Sequence, residues 1–388
     1  MEWEREQWIR EYQDGETIAE IARRHDISRK SVHKWMERLE EWGWEGLRDL
    51  SRAPLQHPRA VGEIWRERIA AVRQEHPRWG ARKLEWLLQR RYANPVPSAS
   101  TIGRVLSELG LSRGRRRRPR AQGTGELYEA QQSNEVWNID FKGWWRTRDG
   151  QRCEPLTVTD QATRYLLCCQ GLGTTRTEVV RPVLERVFRE YGLPERLRSD
   201  NGAPFASSGE CGLTELSVWW IELGIQWERI QPGRPQQNGR HERMHRTLKE
   251  ALPESPASTL RQQQRRLDAF RQEYNRERPH EALGQRVPAE LYRPAARSYP
   301  EKIEPFPYAP GWELRKVGDG GQARWKGERF FVSHALEGKW LAWEPAGEQL
   351  WKVWFHHCWL GMWDAQRGKF FRPYSWARQV DQSRSPSP

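Results

Sequence analysis

The segment VWNIDF (136–141) opens the part of the chain that decides the fold. Its apolar residues predict a buried strand, and PLTVTD (155–160) and RYLLCC (164–169) follow it as two more strands after short connections. Helix and strand patterns then alternate, with strands at RLRSD (196–200) and IQWERI (225–230) and helices at 177–191, 214–223 and from about residue 238. A three-stranded meander followed by alternating helices and strands predicts a mixed sheet covered on both faces, so residues 131–298 are expected to be an α/β domain.

Three carboxylates in this segment are candidates for a catalytic site. Asp140 ends the first strand, Asp200 ends the fourth at a sharp Asn-Gly turn, and Glu242 lies on the first turns of the last helix. If the first and fourth strands are neighbours, Asp140 and Asp200 emerge side by side, and the helix can bring Glu242 to them. Carboxylates so close repel each other unless a cation binds, and hard oxygen ligands favour Mg²⁺ or Mn²⁺. Two such ions can activate a nucleophile and stabilise a leaving oxygen at one phosphate.

The neighbourhood of these acids leaves alternatives open. Asp160, at the end of the second strand, and Glu250, on another face of the last helix, are rival carboxylates. Basic residues surround Glu242 on its helix: Arg243, His245, Arg246 and Lys249. A metal-binding carboxylate with a cation two turns further along one helix would hold a phosphodiester strand across the site. An ordinary amphipathic surface helix would carry the same charges.

Residues 1–50 have the pattern of a helix-turn-helix. Ile18, Ile21 and Ala22 share one helical face, a tight turn follows, and Ser28 is expected to cap the next helix. That helix would present to a DNA groove Arg29, Lys30, Ser31, His33 and Lys34. A helical hairpin without DNA contacts is the alternative, because this segment is net acidic.

Residues 58–112 are expected to form a second, winged-helix-like helix-turn-helix domain. Helices are predicted at about 61–75, after HPRWG (76–80), and after Ser98, where the last helix carries Arg104. Residues 51–130 carry 17 basic and 7 acidic groups, and residues 113–130 form an Arg-rich linker. Four of its arginines are consecutive: Arg115, Arg116, Arg117 and Arg118. This run is either an arm that binds DNA phosphates or a solvated linker.

Residues 299–380 differ in character from the preceding domain. Aromatic and β-branched residues alternate with polar ones in ARWKGERFFVS (323–333), KWLAWEP (339–345) and LWKVWFHHCWLGMWD (350–364). This alternation predicts short antiparallel strands and a small β-barrel with no catalytic residues. Residues 381–388 are expected to be a disordered tail.

The composition limits the partners. The formal net charge is +13 and the pI about 9.7, which permits nucleic acid, an anionic membrane or an acidic protein. No apolar run is long enough to cross a membrane, and the five cysteines contain no CxxC pair. We therefore expect a cytoplasmic, nucleoid-associated bacterial protein without disulfides.

Several motifs resemble one family. SDNGAPF (199–205), PQQNGRHERMHRTLK (235–249) and YNRERPH (274–280) resemble the DDE integrase core shared by retroviral integrases and insertion-sequence transposases, most closely the IS481-like group, which is related to IS3. Further segments are similar to that group: ISRKSVHKWMER (27–38), HPRWGARKL (76–84), PSASTIGRVLSELGL (97–111) and RWKGERFFVS (324–333). The stretch between Asp200 and Glu242 is a few residues longer than is usual in the family.

The resemblance implies an RNase H-like catalytic fold in which Asp140, Asp200 and Glu242 bind two Mg²⁺ or Mn²⁺ ions. It implies a transposase that binds the terminal inverted repeats of its element, hydrolyses the DNA ends and joins the 3′-hydroxyls to target DNA, as a homodimer or larger assembly. DNA contacts are expected from Asn201, Asn238, Arg243 and Lys249. The segment 278–280 either folds onto the site or closes the domain structurally. A catalytically silent DNA-binding regulator and another RNase H-like nuclease are the alternatives.

Overall fold

The computed structural model describes residues 2–50, 61–93, 95–112, 127–207, 211–231 and 235–371. The chain divides into two compact units, Met1–Glu63 and Ile64–Pro388. The run Arg115–Arg118 and the tail 381–388 lie outside the described residues. No helix in the described ranges is long and apolar enough to cross a membrane.

The first unit is helical. It contains α1 (Glu2–Gln13), α2 (Ile18–Arg24), α3 (Arg29–Trp42) and a 3₁₀ turn (Gly43–Leu47). The backbone N–H of Ser31 donates to Ser28 Oγ at 3.1 Å, which confirms Ser28 as the cap of α3. Ile21, Ala22 and Val32 pack together and fix α2 against α3, the two helices predicted for the helix-turn-helix.

The second unit begins with three helices: α4 (Glu63–Glu75), α5 (Ala81–Arg91) and α6 (Ala99–Glu108). Their apolar faces are buried, and Ser98 caps α6 as predicted. α5 lies against the end of the following domain. Trp79 Nε1 donates to Glu273 Oε1 at 3.2 Å, Arg90 pairs with Glu290 at 2.7 Å, and the ammonium of Lys83 donates to the carbonyl of Pro279.

The α/β domain contains the predicted mixed sheet. Its strands are β1 (Val136–Phe141), β2 (Trp145–Arg146), β3 (Arg152–Asp160), β4 (Leu166–Leu172), β5 (Arg196–Ser199) and β6 (Gln226–Arg229). β1 pairs antiparallel with β3 and parallel with β5, β4 pairs antiparallel with β3, and β5 pairs parallel with β6. The strand RLRS (196–199) therefore lies beside the first strand, which is the condition on which the expected proximity of Asp140 and Asp200 depended. The two-residue strand β2 was not anticipated.

Helices cover both faces of this sheet, as predicted. They are α7 (Thr177–Tyr191), α8 (Glu215–Glu222), α9 (Gly239–Ala251), α10 (Leu260–Arg276) and the short α11 (Pro288–Leu291). Residues of α7 and α8 share a core with Trp137, Ile139 and Cys168, while α9 and α10 pack on Leu166 and Cys169. Because side chains alternate between the faces of a strand, Cys168 and Cys169 mark the two sides.

The remaining residues form strands β7 (Glu313–Lys316), β8 (Gln322–Trp325), β9 (Glu328–Phe331), β10 (Trp340–Pro345), β11 (Leu350–Phe355), β12 (Cys358–Asp364) and β13 (Lys369–Phe371). Five of them make a sheet in the order β13-β12-β11-β10-β7, and β8 and β9 form a hairpin. The predicted antiparallel strands are thus confirmed. Within the described part of the chain the sheet is open, so closure into a barrel stays a prediction.

Candidate active site

The register of β1 and β5 brings Asp140 and Asp200 together. Asn138 on β1 is opposite Arg198 on β5 in the parallel pairing. Asp140 is the fifth residue of β1 and Asp200 directly follows β5, so the two acids lie near the same end of neighbouring strands. Beyond Asp200 the chain turns, and the backbone N–H of Gly202 donates to Asp200 Oδ1 at 3.2 Å.

Glu242 lies on the first turns of α9. His241, Met244, His245 and Leu248 are the buried residues of this helix, and Glu242 is exposed in its first turns. Burial, then the negative charge of Asp200, and further the charge of Glu242, raise the pKa of Asp140 to about 7. The pKa of Asp200 is also raised, by burial, while Arg229 acts in the opposite direction. The charges of Asp200 and Glu242 therefore both act on Asp140.

Asp140 and the rival Asp160 have opposite environments, although both are buried acids near strand ends. Asp160 accepts hydrogen bonds from Thr163 N at 2.8 Å, Thr163 Oγ1 at 2.6 Å and Asn134 N at 2.7 Å. The Asp140 carboxylate accepts a hydrogen bond from the backbone N–H of Phe141 and, at Oδ2, a long bond of 3.4 Å from the Asn238 amide. Asp160 thus fixes the turn after β3, whereas Asp140 keeps oxygen lone pairs for another partner.

A layer of histidines and threonines lies beneath the acids. His241 Nδ1 is 2.7 Å from Thr159 Oγ1, and its Nε2 is 2.8 Å from Thr157 Oγ1. His245 Nε2 is 2.7 Å from the same Thr157 oxygen, and its Nδ1 is 3.9 Å from Asp140 Oδ2. Among the described residues, Asp140, His241 and His245 each offer a ligand atom, all within 4.8 Å of one another.

The expectation that His245 adds positive charge is wrong. Burial lowers the pKa of His245 to about 3 and that of His241 well below its usual value, so both rings are neutral. Reasoning from the sequence missed this layer. The available signal was the spacing of His241 and His245, which are four residues apart and continue the apolar stripe of Met244 and Leu248.

The residues predicted to contact DNA fall into two groups. Exposed side chains belong to Arg29, Lys30, Lys34, Arg104, Arg243 and Lys249. The others are engaged within the protein. Ser31 pairs with the Ser28 cap, and Asn238 is buried beside Asp140. The Asn201 amide donates to the Ile230 carbonyl at 2.7 Å and accepts from Arg229 at 2.8 Å, which favours the role of positioning the Asp200 loop.

The segment 278–280 contacts α5, the second of the three helices that come before the catalytic domain. His280 is packed on the ring of Tyr274, with a centroid distance of 4.8 Å, and the Pro279 carbonyl accepts from Lys83. These contacts favour the structural reading of this segment. Burial and the charge of Arg278 lower the pKa of Lys83 from 10.5 to about 7.

Known protein families match most of the chain. The integrase core domain family matches residues 130–235 and 223–288. A helix-turn-helix domain family matches residues 4–54, and a homeodomain-like domain family matches residues 31–106.

Two relatives come from insertion elements. The chain is 31% identical over 253 residues to the uncharacterized 31.7 kDa protein of insertion element IS407 from Burkholderia multivorans, covering 62% of this chain and 86% of that protein. It is 30% identical over 293 residues to the uncharacterized 39.2 kDa protein of insertion element IS476 from Xanthomonas euvesicatoria, covering 74% and 80%. A chain of the simian T-cell lymphotropic virus intasome, in complex with PP2A regulatory subunit B56 gamma, aligns at 17% identity and a TM-score of 0.37, covering 74% of this chain and 95% of that chain.

Proposed function

The chain belongs to the DDE integrases and transposases of insertion elements, and we propose that it cuts DNA at the two ends of its own element. The freed 3′-hydroxyls then attack target DNA, and the element is joined there by transesterification. The substrate is double-stranded DNA, first the terminal inverted repeats and then the target. Because two ends must be handled together, the active form is a homodimer or a larger assembly, acting on the bacterial nucleoid.

The observation that supports this proposal is that the negative charges of Asp200 and Glu242 act on the buried carboxyl group of Asp140. The raised pKa of Asp140 reflects the burial of its carboxyl group and the repulsion by its two acidic neighbours. A protein gains nothing in stability from such a cluster unless cations bind it, and carboxylate oxygens suit Mg²⁺ or Mn²⁺. Bound divalent ions, two per site, would activate the attacking oxygen and neutralise the leaving oxygen.

The chain's own residues hold this site in place. Asn238 orients Asp140, and Asn201 ties the Asp200 loop to the end of β6. Lys249 lies seven residues beyond Glu242 on α9, roughly 10 Å along the helix axis. Arg243 and Lys249 are exposed, so they can bind the phosphates that flank the reacting one.

The helical regions that contain α3 and α6 would recognise the DNA. The exposed Arg29, Lys30 and Lys34 on α3 would face the groove as residues of a recognition helix, and the exposed Arg104 on α6 would add a DNA contact from the second helical region. The arginines 115–118 would add phosphate contacts from the linker. Phosphate contacts supply affinity and base contacts supply the choice of the element ends.

The test uses the purified full-length protein and duplexes that carry the DNA flanking its coding region. Asp200→Asn should abolish metal-dependent cleavage and strand transfer while end binding changes little. The matched control is Glu250→Gln, an exposed carboxylate on the same helix as Glu242, which should keep cleavage. Cleavage by Asp200→Asn would overturn the proposal. Binding of the ends by wild-type protein without any metal-dependent cleavage would favour a silent regulator, and cutting without preference for the ends would favour a general nuclease.

A further inference from the structure

The hydrogen positions in the histidine and threonine layer can be assigned from its contacts. The Thr157 hydroxyl has one hydrogen, and it donates that hydrogen to the main-chain carbonyl of Asp140 at 3.0 Å. Its two lone pairs are then left for the two rings within hydrogen-bond distance, His241 Nε2 and His245 Nε2. Both rings therefore carry their hydrogen on Nε2, and each Nδ1 has a lone pair.

The two Nδ1 atoms have different surroundings. His241 Nδ1 accepts from the Thr159 hydroxyl at 2.7 Å, so both nitrogens of this ring are engaged. His245 Nδ1 faces the Asp140 carboxylate, with 3.9 Å between Nδ1 and Oδ2. Two acceptors that face each other repel in a buried site unless a proton or a metal ion lies between them. His241 is thereby excluded as a ligand, although its position lies within the cluster.

The distance of 3.9 Å between His245 Nδ1 and Asp140 Oδ2 is close to the separation of two ligand atoms on one metal ion. Ligand atoms about 2.1 Å from a metal lie about 3.0–3.5 Å apart in octahedral or tetrahedral geometry, so His245 Nδ1 and Asp140 Oδ2 would have to approach each other by roughly half an ångström to one ångström. The other ring nitrogen of a metal-binding histidine almost always donates to an oxygen partner, which fixes the ring and its tautomer. His245 has this arrangement, because its Nε2–H donates to Thr157.

We propose that His245 Nδ1 is a ligand of the ion that Asp140 binds, so that this position selects Mn²⁺ over Mg²⁺. The inference rests on the proposed function, since it assigns a further ligand to the same site. Imidazole nitrogen is a poor donor for Mg²⁺, which prefers oxygen, and a good one for transition metals. Thr157 and His241 are positioning residues in this arrangement, because they hold the His245 ring without reaching the ion.

The test is electron spin-echo spectroscopy of the full-length protein loaded with Mn²⁺ alone, which detects nitrogen atoms bonded to the ion. We expect the coupling of one imidazole nitrogen in the wild type. His245→Gln should abolish it and weaken Mn²⁺ binding by at least about tenfold, the loss already common when only an outer partner of a ligand is removed. The affinity for Mg²⁺ should change less. The control His241→Gln should keep the coupling.

Two results would overturn the inference. One is Mn²⁺-loaded wild-type protein without nitrogen coupling, a measurement that does not depend on the folding of any variant. The other is coupling that persists in His245→Gln or disappears only in His241→Gln. Its failure can be distinguished from failure of the proposed function. If the wild type cuts DNA with Mn²⁺ and Asp200→Asn does not, missing nitrogen coupling rejects the ligand alone; cutting by Asp200→Asn rejects the transposase site itself.

Discussion

Replacing Asp140 by asparagine should make the metal-free protein more stable. The pKa of this carboxyl group rises from 3.8 to about 7 in the folded chain, roughly three units at about 1.36 kcal/mol each. This sets an upper limit on the order of 4 kcal/mol. Because the side chain is 20% exposed, water reduces the penalty, and we expect a gain of about 2–4 kcal/mol from Asp140→Asn. Asparagine has nearly the same shape and keeps an oxygen that can accept from Asn238.

The stability gained by Asp140→Asn should increase as the pH rises. Below pH 3.8 the carboxyl group is protonated in both the folded and the unfolded chain, so the variant has no advantage. Between pH 3.8 and about 7 the folded chain binds more protons, and wild-type stability falls as pH rises. Above pH 7 the advantage of the variant is complete. Added Mn²⁺ should make the wild type more stable than Asp140→Asn, because the ion binds the folded wild type and stabilises it by mass action.

Hydrogen exchange measures this effect locally, which matters in a chain with more than one unit. In EDTA, amides of β1 and β5 should exchange at least about thirtyfold more slowly in Asp140→Asn than in the wild type at pH 8, the factor that corresponds to about 2 kcal/mol. At pH 4 the difference should almost disappear, and β11 and β12 serve as internal references. Asp160→Asn is the contrasting variant: burial raises the pKa of Asp160 as well, but its carboxylate accepts three hydrogen bonds that oppose this rise, and because an amide cannot accept all three, we expect a loss of about 1–3 kcal/mol. The reasoning is wrong if Asp140→Asn is no more stable than the wild type at pH 8.

Three further predictions concern the surroundings of the site. The pKa of Lys83 is lowered from 10.5 to about 7, so between these pH values the unfolded chain binds more protons than the folded chain. The free energy of unfolding should therefore rise by about 2 kcal/mol from pH 7 to pH 9, and thermal denaturation of Lys83→Met should lack this rise. Lys249→Ala should weaken binding of all DNA sequences alike and reduce the salt slope by about one, whereas Lys249→Arg keeps both, as fluorescence anisotropy would reveal. Thr157→Val should cost at least about 2 kcal/mol in urea denaturation, since two buried ring N–H groups lose their acceptor, and Thr157→Ser should restore most of it.

The parts of the fold that depend on local pattern could be predicted from the sequence. Ser28 and Ser98 cap helices because a serine before an apolar periodic segment satisfies free N–H groups. The parallel pairing of β5 with β6 follows from the same kind of local pattern, since strands joined by one helix tend to be neighbours, whereas the pairing of β1 with β5 could only be assumed. The two-residue strand β2 could not be predicted, because it is too short for periodicity to appear.

The state of a titratable side chain was less predictable. On α9, His245 and Arg246 are adjacent in sequence, yet one is buried and neutral and the other exposed. A count of basic residues treats the two alike. Their positions on the helix differ, because His245 lies on the buried face with Met244 and Leu248, and Arg246 lies on the exposed face. Closure of the C-terminal strands into a barrel depends on pairing between distant segments, which alternation of polar and apolar residues does not specify.

The hydroxyl of Thr157 explains how the site tolerates its own repulsion. It bonds to the Asp140 carbonyl and to both histidines of α9, so one atom of β3 connects β1 to the helix that carries Glu242. These contacts are neutral and buried, and their strength is therefore independent of the charges above them over the pH range in which the acids ionise. The carboxylates can approach one another because the frame beneath them resists their separation. Metal ions would then bind to an arrangement already formed, and little of their binding energy would be needed to assemble it.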